Sequence, residues 1–182
     1  MKKLLFLLLI PLVSFSQDFR KMNFGDSIER LVEMHPEVEF TVGEEMGMEV
    51  LYHNDFVSGI DTKVAFIFMD KKLELAGYIF NEDKIISGDE RVKNYKNISE
   101  RLNRKYEMVN EDEWHNTTYK GQPNYYAFSL SMEYVDFKET YLDENVSIVH
   151  SLATEEGDLV HSVFYTSADF HKYLQESADD DF

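Results

Sequence analysis

The sequence contains no cysteine. This absence excludes disulfides, thiolate catalysis, zinc sites built on Cys ligands and the lipid-bearing cysteine of a bacterial lipoprotein. Glycine and proline are scarce, at eight and three residues. No P-loop, dinucleotide-binding glycine pattern or Gly-x-Ser-x-Gly nucleophile elbow is present. A chain of this composition must depend on a hydrophobic core for its stability.

Positive charge is also in short supply, because 18 Lys and Arg residues face 35 Asp and Glu residues, for a formal net charge of −17. Such a field repels phosphate backbones and anionic membrane surfaces. We therefore expect no nucleic-acid partner and no membrane insertion. The charge favours cations, or a basic protein or peptide, as partners. Solubility alone is the simpler explanation of the same charge.

A long hydrophobic run occurs at the N-terminus, where Leu4–Val13 follows Lys2 and Lys3 and precedes the small residues Ser14 and Ser16. This is the layout of a secretory signal peptide, and the run is too short to span a bilayer. We expect residues 1–16 to be a signal cleaved near Ser16 and the mature protein to be periplasmic or secreted, as an exported bacterial protein. Cleavage there would remove two lysines and no acidic residue, so the formal net charge of the mature protein would be −19.

The rest of the chain has the composition of a folded domain, with 43% hydrophobic and 14% aromatic residues overall. The stretch Asp61–Phe80 predicts a hairpin, because apolar residues alternate at period two on both sides of the polar turn at Asp70-Lys71-Lys72. Both faces of its first strand are apolar. We therefore place this hairpin in the middle of a sheet, with cover on both sides for part of its length.

Three helices are predicted from apolar residues at helical spacing, and the last is a short one that Ser167 can cap. The first begins at Asp26, which has Glu29 in capping-box spacing, or at the competing cap Ser27, and it ends before Pro36. The second and longer helix covers Asp89–Val109.

The second half of the chain adds more strands. Tyr125–Tyr134 reads as a long strand because every second residue is apolar, and Val146–Ala153 with Leu159–Thr166 reads as a last hairpin. The predicted fold is α+β, with antiparallel meanders each preceded by a helix, a crude two-fold repeat, and the helices packed on the sheet. We expect one domain over residues 17–176, with half-repeats 24–87 and 88–176, and an acidic frayed tail at 177–182.

Two segments carry a family resemblance. Phe24–Leu31 resembles the "Gly-x-Ser/Thr-x-x-x-Val" helix start of small envelope proteins, namely the outer-membrane-assembly lipoproteins of the SmpA/OmlA type and the β-lactamase inhibitor proteins. Gly59–Phe68 is similar to the strands that follow in those proteins. The chain lacks the lipobox cysteine of the former and the disulfides of the latter. The resemblance implies a non-enzymatic envelope module that works by contact, and it supplies no catalytic residue.

His150 and His161 form the candidate metal site. A two-residue loop at Glu155-Glu156 would pair these histidines directly, and two adjacent imidazoles could begin a metal site. A type I turn with a glycine bulge at Gly157 would instead set His150 opposite Ser162. Apart from this pair we expect no cofactor.

A second candidate site lies in the least regular stretch, where acids flank the only tryptophan. Its proposed binding residues are Trp114, Tyr119, Glu111, Asp112 and Glu113. Exposed aromatic residues beside acids suit a peptide or sugar surface. The sequence thus leaves two functions open: a non-catalytic binding module with an acidic surface, or a small secreted enzyme, such as a metal-assisted hydrolase.

Overall fold

The computed structural model describes residues 19–45, 47–82, 87–143, 145–155 and 158–172. The predicted signal peptide and the predicted acidic tail lie outside this part of the chain. Three helices are named: α1 (Ile28–Met34), α2 (Gly88–Asn103) and α3 (Tyr126–Ser131). Two short 3-10 turns, Thr117–Tyr119 and Pro123–Tyr125, precede α3. The strands are β1 (Thr41–Glu45), β2 (Met48–Val57), β3 (Ile60–Met69), β4 (Lys72–Phe80), β5 (Glu107–Asn110), β6 (Glu113–Trp114), β7 (Val135–Leu142), β8 (Val146–Glu155) and β9 (Asp158–Ser167).

The strands form one antiparallel sheet in the order β1-β2-β3-β4-β9-β8-β7-β5, with β6 paired to β7. The α+β class is therefore confirmed. The first four strands form a meander from one edge, and β7, β8 and β9 form a second meander that β5 extends to the other edge. The meanders meet where β9 pairs with β4. The predicted hairpin is β3 and β4, and it lies inside the sheet.

The turn of that hairpin has the backbone that the right-handed twist of its strands requires. Asp70 and Lys71 have φ values of 50° and 65°. A two-residue loop with positive φ at both positions is the type I′ turn that suits tight hairpins. The turn therefore lies where the polar residues of the sequence predict it.

The named helices all pack on one face of the sheet. Residues paired across neighbouring strands share a face, and Phe66, Ala76, Tyr165, Ile148 and Tyr141 form one such row. Leu31 of α1 packs with Phe66, and Ile98 and Leu102 of α2 pack with Ile148 and Tyr141. Cover on the second side of the hairpin, which the sequence predicts for part of its length, does not come from these three helices. On the opposite face, half-buried side chains of the sheet line an open hollow of about 190 Å³.

The helices begin and end at residues other than those predicted, and hydrogen bonding explains the differences. Ser27 is the N-cap of α1, because its Oγ accepts from the amide of Arg30 at 3.4 Å. Asp26 Oδ2 instead accepts from the amide of Asn23. The second helix ends at Asn103, because the chain then turns into β5, whose backbone pairs with β7. The distant strand β7 is not visible in the periodicity of this segment.

The strand predicted over Tyr125–Tyr134 is wrong, since this segment holds the end of a 3-10 turn and helix α3. A chain with every second residue apolar also contains apolar pairs four residues apart, which is the spacing of one helix face. Tyr126 and Leu130 form the inward pair of α3. Phe128 and Met132 form an outward pair and are 46% and 47% exposed.

Among the described residues, no helix combines the length and the apolarity that a membrane span requires.

Candidate functional sites

The last hairpin brings His150 and His161 together, but in neither of the predicted registers. Glu155 pairs with Asp158, so that His150 is opposite Val163 and His161 is opposite Leu152. Only residues 156 and 157, which lie outside the described part of the chain, separate the last pair in the sequence. The two histidines are therefore diagonal neighbours on the helix-covered face.

The two imidazole rings meet end to end. Their Nε2 atoms are 3.1 Å apart and their ring centroids are 5.3 Å apart, so each Nε2 points nearly straight at the other. This is the arrangement of a nitrogen–nitrogen hydrogen bond. Both residues are buried, with exposures of 0% and 1%.

A carboxylate lies at each outer end of the pair. Glu139 Oε2 is 3.4 Å from His150 Nδ1, and Glu82 Oε1 is 3.1 Å from His161 Nδ1. The four residues Glu139, His150, His161 and Glu82 thus form a continuous series of contacts, which we name the histidine–carboxylate chain. Strands β7, β8 and β9 supply three members, and Glu82 follows β4. The histidine–carboxylate chain therefore lies where β4 of the first meander pairs with β9 of the second.

Helix α2 covers the histidine–carboxylate chain. The Tyr95 ring stacks on His150 at 4.1 Å between centroids. Ser99 Oγ donates to the carbonyl of Tyr95 and lies 3.3 Å from His150 Nδ1. Asn94 Nδ2 donates to Glu82 Oε1 at 3.1 Å. The histidine–carboxylate chain is therefore enclosed between α2 and the sheet.

Burial and hydrogen bonding set the charges on the Glu139 side. Burial lowers the pKa of His150 to about 4, although its hydrogen bond to Glu139 acts in the opposite direction. Burial raises the pKa of Glu139, but hydrogen bonds with His150 and Tyr141 hold it below its ordinary value. At neutral pH, His150 is therefore neutral and Glu139 is ionised.

The predicted metal site at His150 and His161 stays a prediction. Both Nδ1 atoms face carboxylates, as in many zinc sites, but the Nε2 atoms face each other and not a common third point. The part of the chain that the structure describes contains no group of three His, Asp or Glu residues arranged to hold a metal ion. A metal would require the rings to turn.

The second site contains four aromatic side chains and one methionine that are exposed or half-buried, and we name it the aromatic surface: Tyr119, Tyr125, Phe128, Met132 and Tyr134. Tyr119 stacks on Tyr125 at 4.8 Å, and its other contact is edge-to-face with Phe128 at 5.6 Å. Phe128 in turn meets Tyr134 edge-to-face at 6.3 Å. Tyr125, Phe128 and Met132 are each 46–47% exposed.

The binding residues predicted from the sequence fall in different places. Tyr119 belongs to the aromatic surface, and Glu111 and Glu113 are exposed. Trp114 is half-buried against Tyr126 and Phe137 in the core under α2. Sequence reasoning missed Phe128 and Met132, because the strand prediction assigned them to an apolar sheet face.

Asp112 is partly buried, and this burial raises its pKa to about 6, helped by the charge of Glu139. Its Oδ1 has no hydrogen-bond partner among the described residues. A carboxyl whose folded pKa lies above its unfolded value binds protons more tightly in the folded state. Its contribution to stability is therefore lost as pH rises from about 4 to about 6.

We expect Asp112→Asn to stabilise the protein at pH 7.5 by about 1 kcal/mol, after a discount for solvent screening of a partly exposed group. The gain should disappear at pH 4, where the native carboxyl is already neutral. Urea unfolding at both pH values measures the difference. Glu113→Gln, at an exposed neighbour, is the control. Equal effects of Asp112→Asn at both pH values would contradict the argument.

No family model matches the chain, and no curated protein or solved structure matches it significantly. The functional argument therefore depends on the geometry of the two sites.

Proposed function

We propose that this protein is an exported, non-catalytic interaction module that binds a basic protein or peptide through the aromatic surface. The signal peptide at residues 1–16, the periplasmic or secreted location and the half-repeats 24–87 and 88–176 are parts of the same proposal. The observation that carries it is the exposure of Tyr125, Phe128 and Met132, three large apolar side chains within one short segment around α3.

Exposed aromatic and methionine side chains in contact with one another are typical of binding surfaces. Tyr, Phe and Met are enriched at protein interfaces, and aromatic anchors supply much of their affinity. The rings of the aromatic surface support one another through stacked and edge-to-face contacts. Little further ordering is then needed when a partner binds, which favours affinity.

Charge indicates the chemistry of the partner. The chain has a net charge of −17, and Glu133 lies exposed between Met132 and Tyr134 in the sequence. Electrostatic complementarity accelerates association with basic molecules and suppresses acidic ones. The preferred partner is therefore a protein or peptide that presents apolar side chains among lysines and arginines.

The alternative function is a small secreted enzyme, such as a metal-assisted hydrolase, that uses His150 and His161. The observation in its favour is the convergence of two histidines and two carboxylates. The described surface hollows of about 480, 390 and 190 Å³ are lined by no member of the histidine–carboxylate chain. Because His150 and His161 are 0% and 1% exposed, a substrate would have to open the core to reach either imidazole, and the interaction module is the better-supported function.

The test is co-purification from the native envelope fraction with the Phe128→Ser/Met132→Ser variant. We expect the wild type to retain a basic partner in stoichiometric amount, and high salt to release it because salt screens the attraction between charges. The variant should retain at least fivefold less of this partner, because two interface anchors are removed. The unfolding free energy should change by less than about 0.5 kcal/mol, because both residues lie at the surface.

Phe56→Ser is the matched control, since Phe56 is 66% exposed at the far end of β2. It should retain the partner as the wild type does. Equal loss in both variants would indicate non-specific adhesion and contradict the proposal. A stoichiometric metal with no protein partner would instead support the enzyme.

A further inference from the structure

Two hollows adjoin each other on the face of the sheet away from the helices. Lys63 and Ile79 line both of them, a hollow of about 190 Å³ and a larger one of about 480 Å³. Lys63 pairs with Ile79 and with Asn54 across neighbouring strands, so these side chains share one face. Because Lys63 and Phe66 are an odd number of residues apart in β3, that face is opposite the one that the helices cover. We name this continuous depression the open-face groove.

The smaller end of the open-face groove is mainly apolar and aromatic. Its lining includes Val50, Tyr52, Ile67 and Phe164, all of them half-buried. Gly77 leaves room for the Phe164 ring, since a Cβ atom at position 77 would lie 2.4 Å from Phe164 Cδ1. The ring therefore lies directly against the backbone of β4. This end offers a ligand apolar contacts with two aromatic side chains.

The larger end of the groove is polar. Its lining includes Asn54, Asp61, Lys63 and Asn81. An amide side chain both donates and accepts hydrogen bonds, a carboxylate accepts, and an ammonium group donates. A ligand at this end can therefore make hydrogen bonds of both kinds. A purely apolar ligand would remove water from these groups without replacing its hydrogen bonds, which is costly.

The charged side chains at the groove disfavour a ligand that has a net charge. Among the described residues that line it, Lys63 is the cation, and it lies where the two hollows join. Glu44 lines the smaller end and Asp61 the larger end, where Asp55 is paired with Arg20 at 2.6 Å. An anionic ligand would meet these acids and the field of a chain with a charge of −17, and a cationic ligand would meet Lys63. A neutral ligand avoids both penalties.

We propose that the open-face groove binds a neutral oligosaccharide. A sugar ring has an apolar face of C–H groups and a rim of hydroxyl groups that donate and accept hydrogen bonds. One ring packs its C–H face on Tyr52 and Phe164, and the next ring places its hydroxyl groups against Asn54 and Asn81. The larger hollow alone lies within the range of about 300–1,000 Å³ that is typical of small-molecule sites.

The walls of the groove are formed before a ligand arrives. They come from β2, β3, β4 and β9, which are successive neighbours in the sheet. The Lys63 Nζ atom lies 4.9 Å from the centroid of the Tyr52 ring, and this cation–π contact orients both side chains. A site on paired strands loses little freedom when it binds a ligand. The groove shares no residue with the aromatic surface, so this proposal and the proposed function can fail separately.

The test measures the binding of soluble oligosaccharides to the full chain by isothermal titration calorimetry at pH 6. The neutral probes are oligomers of glucose, xylose, mannose, galactose and N-acetylglucosamine. Oligogalacturonate and chitosan oligomers are the anionic and cationic counterparts of the last two. We expect at least one neutral oligomer to bind, and both charged probes to bind about tenfold more weakly or not at all. Binding of no neutral oligomer would overturn the proposal, and so would tighter binding of a charged probe.

Two pairs of variants locate the site with the neutral oligomer that binds best. Tyr52→Ala should weaken binding about tenfold because it removes an aromatic wall, whereas Tyr52→Phe retains the ring and should bind within about threefold of the wild type. Asn54→Ala should weaken binding about fivefold by the loss of a hydrogen bond. Asn97→Ala, at an exposed position of α2, is its control and should bind as the wild type does. Unchanged binding in Tyr52→Ala, or equal losses in Asn54→Ala and Asn97→Ala, would overturn the proposal.

Nuclear magnetic resonance of the wild type keeps the test decisive if Tyr52→Ala does not fold. We expect the oligosaccharide to shift the backbone amide resonances around Asn54, Lys63 and Ile79, and to leave those around Phe128 unchanged. Shifts centred elsewhere would overturn the proposal. So would a dimer, measured by light scattering, whose groove resonances do not respond to any sugar, because a second copy would then cover this face.

Discussion

Gly77→Ala is expected to destabilise the protein by about 3 kcal/mol or more, near the upper end of the usual cost of overpacking. A Cβ atom at position 77 would lie 2.4 Å from Phe164 Cδ1 and 2.5 Å from the carbonyl oxygen of Val163. The ring could rotate, but the carbonyl belongs to β9, and β4 would have to move away from it. This pair of strands joins the two meanders. Urea unfolding of the variant measures the loss.

Gly43→Ala is the control for this prediction. Gly43 also lies in a strand, but its added Cβ would meet no atom closer than 4.0 Å. Alanine there should be neutral or slightly stabilising, because glycine loses more backbone freedom on folding. Similar losses in the two variants would show that the contact with β9 is not what position 77 requires.

His161→Leu is expected to cost about 1–3 kcal/mol at pH 7, because it leaves the buried carboxyl group of Glu82 without its 3.1 Å contact to His161 Nδ1. Leucine preserves much of the volume beside the Phe80 ring, which lies 4.6 Å from the imidazole centroid. The loss would therefore come from Glu82, which remains buried with Asn94 as its side-chain donor. Chemical unfolding measures it.

The double variant Glu82→Gln/His161→Leu separates charge from packing. Because a neutral amide is less costly to bury than an unpaired carboxylate, the double variant should be more stable than His161→Leu alone. His115→Leu, at an exposed histidine, should have little effect. A double variant that is less stable than His161→Leu would show that shape and not charge governs this site.

Local sequence was a reliable guide where one element decides its own structure. The hairpin of β3 and β4 was predicted because alternating apolar residues flank a turn that accepts positive φ. The sequence also predicts the start of α1 to within one residue. The choice between Asp26 and Ser27 as the N-cap depends on whether the Asp26 carboxylate or the Ser27 hydroxyl accepts from an amide of the first helical turn. These features depend on residues within a few positions of each other.

The segment Tyr125–Tyr134 shows where local reasoning reached its limit. Its apolar residues at every second position fit a strand face and also fit two opposite faces of a helix. Only packing of Leu130 with Val135 and Phe137 selects the helix. That choice also places Phe128 and Met132 in solvent, so the aromatic surface could not be predicted without it.

Composition and period-two patterns act over short distances, so they can be interpreted from the sequence alone. They indicate the α+β class, the central hairpin, the excess of negative charge and the place of His150 and His161 in one hairpin. The tertiary structure decided that β9 joins β4, which face the helices cover, and that Glu82 meets a histidine 79 residues away. Contacts over such distances depend on the simultaneous packing of several elements, and no local propensity encodes them.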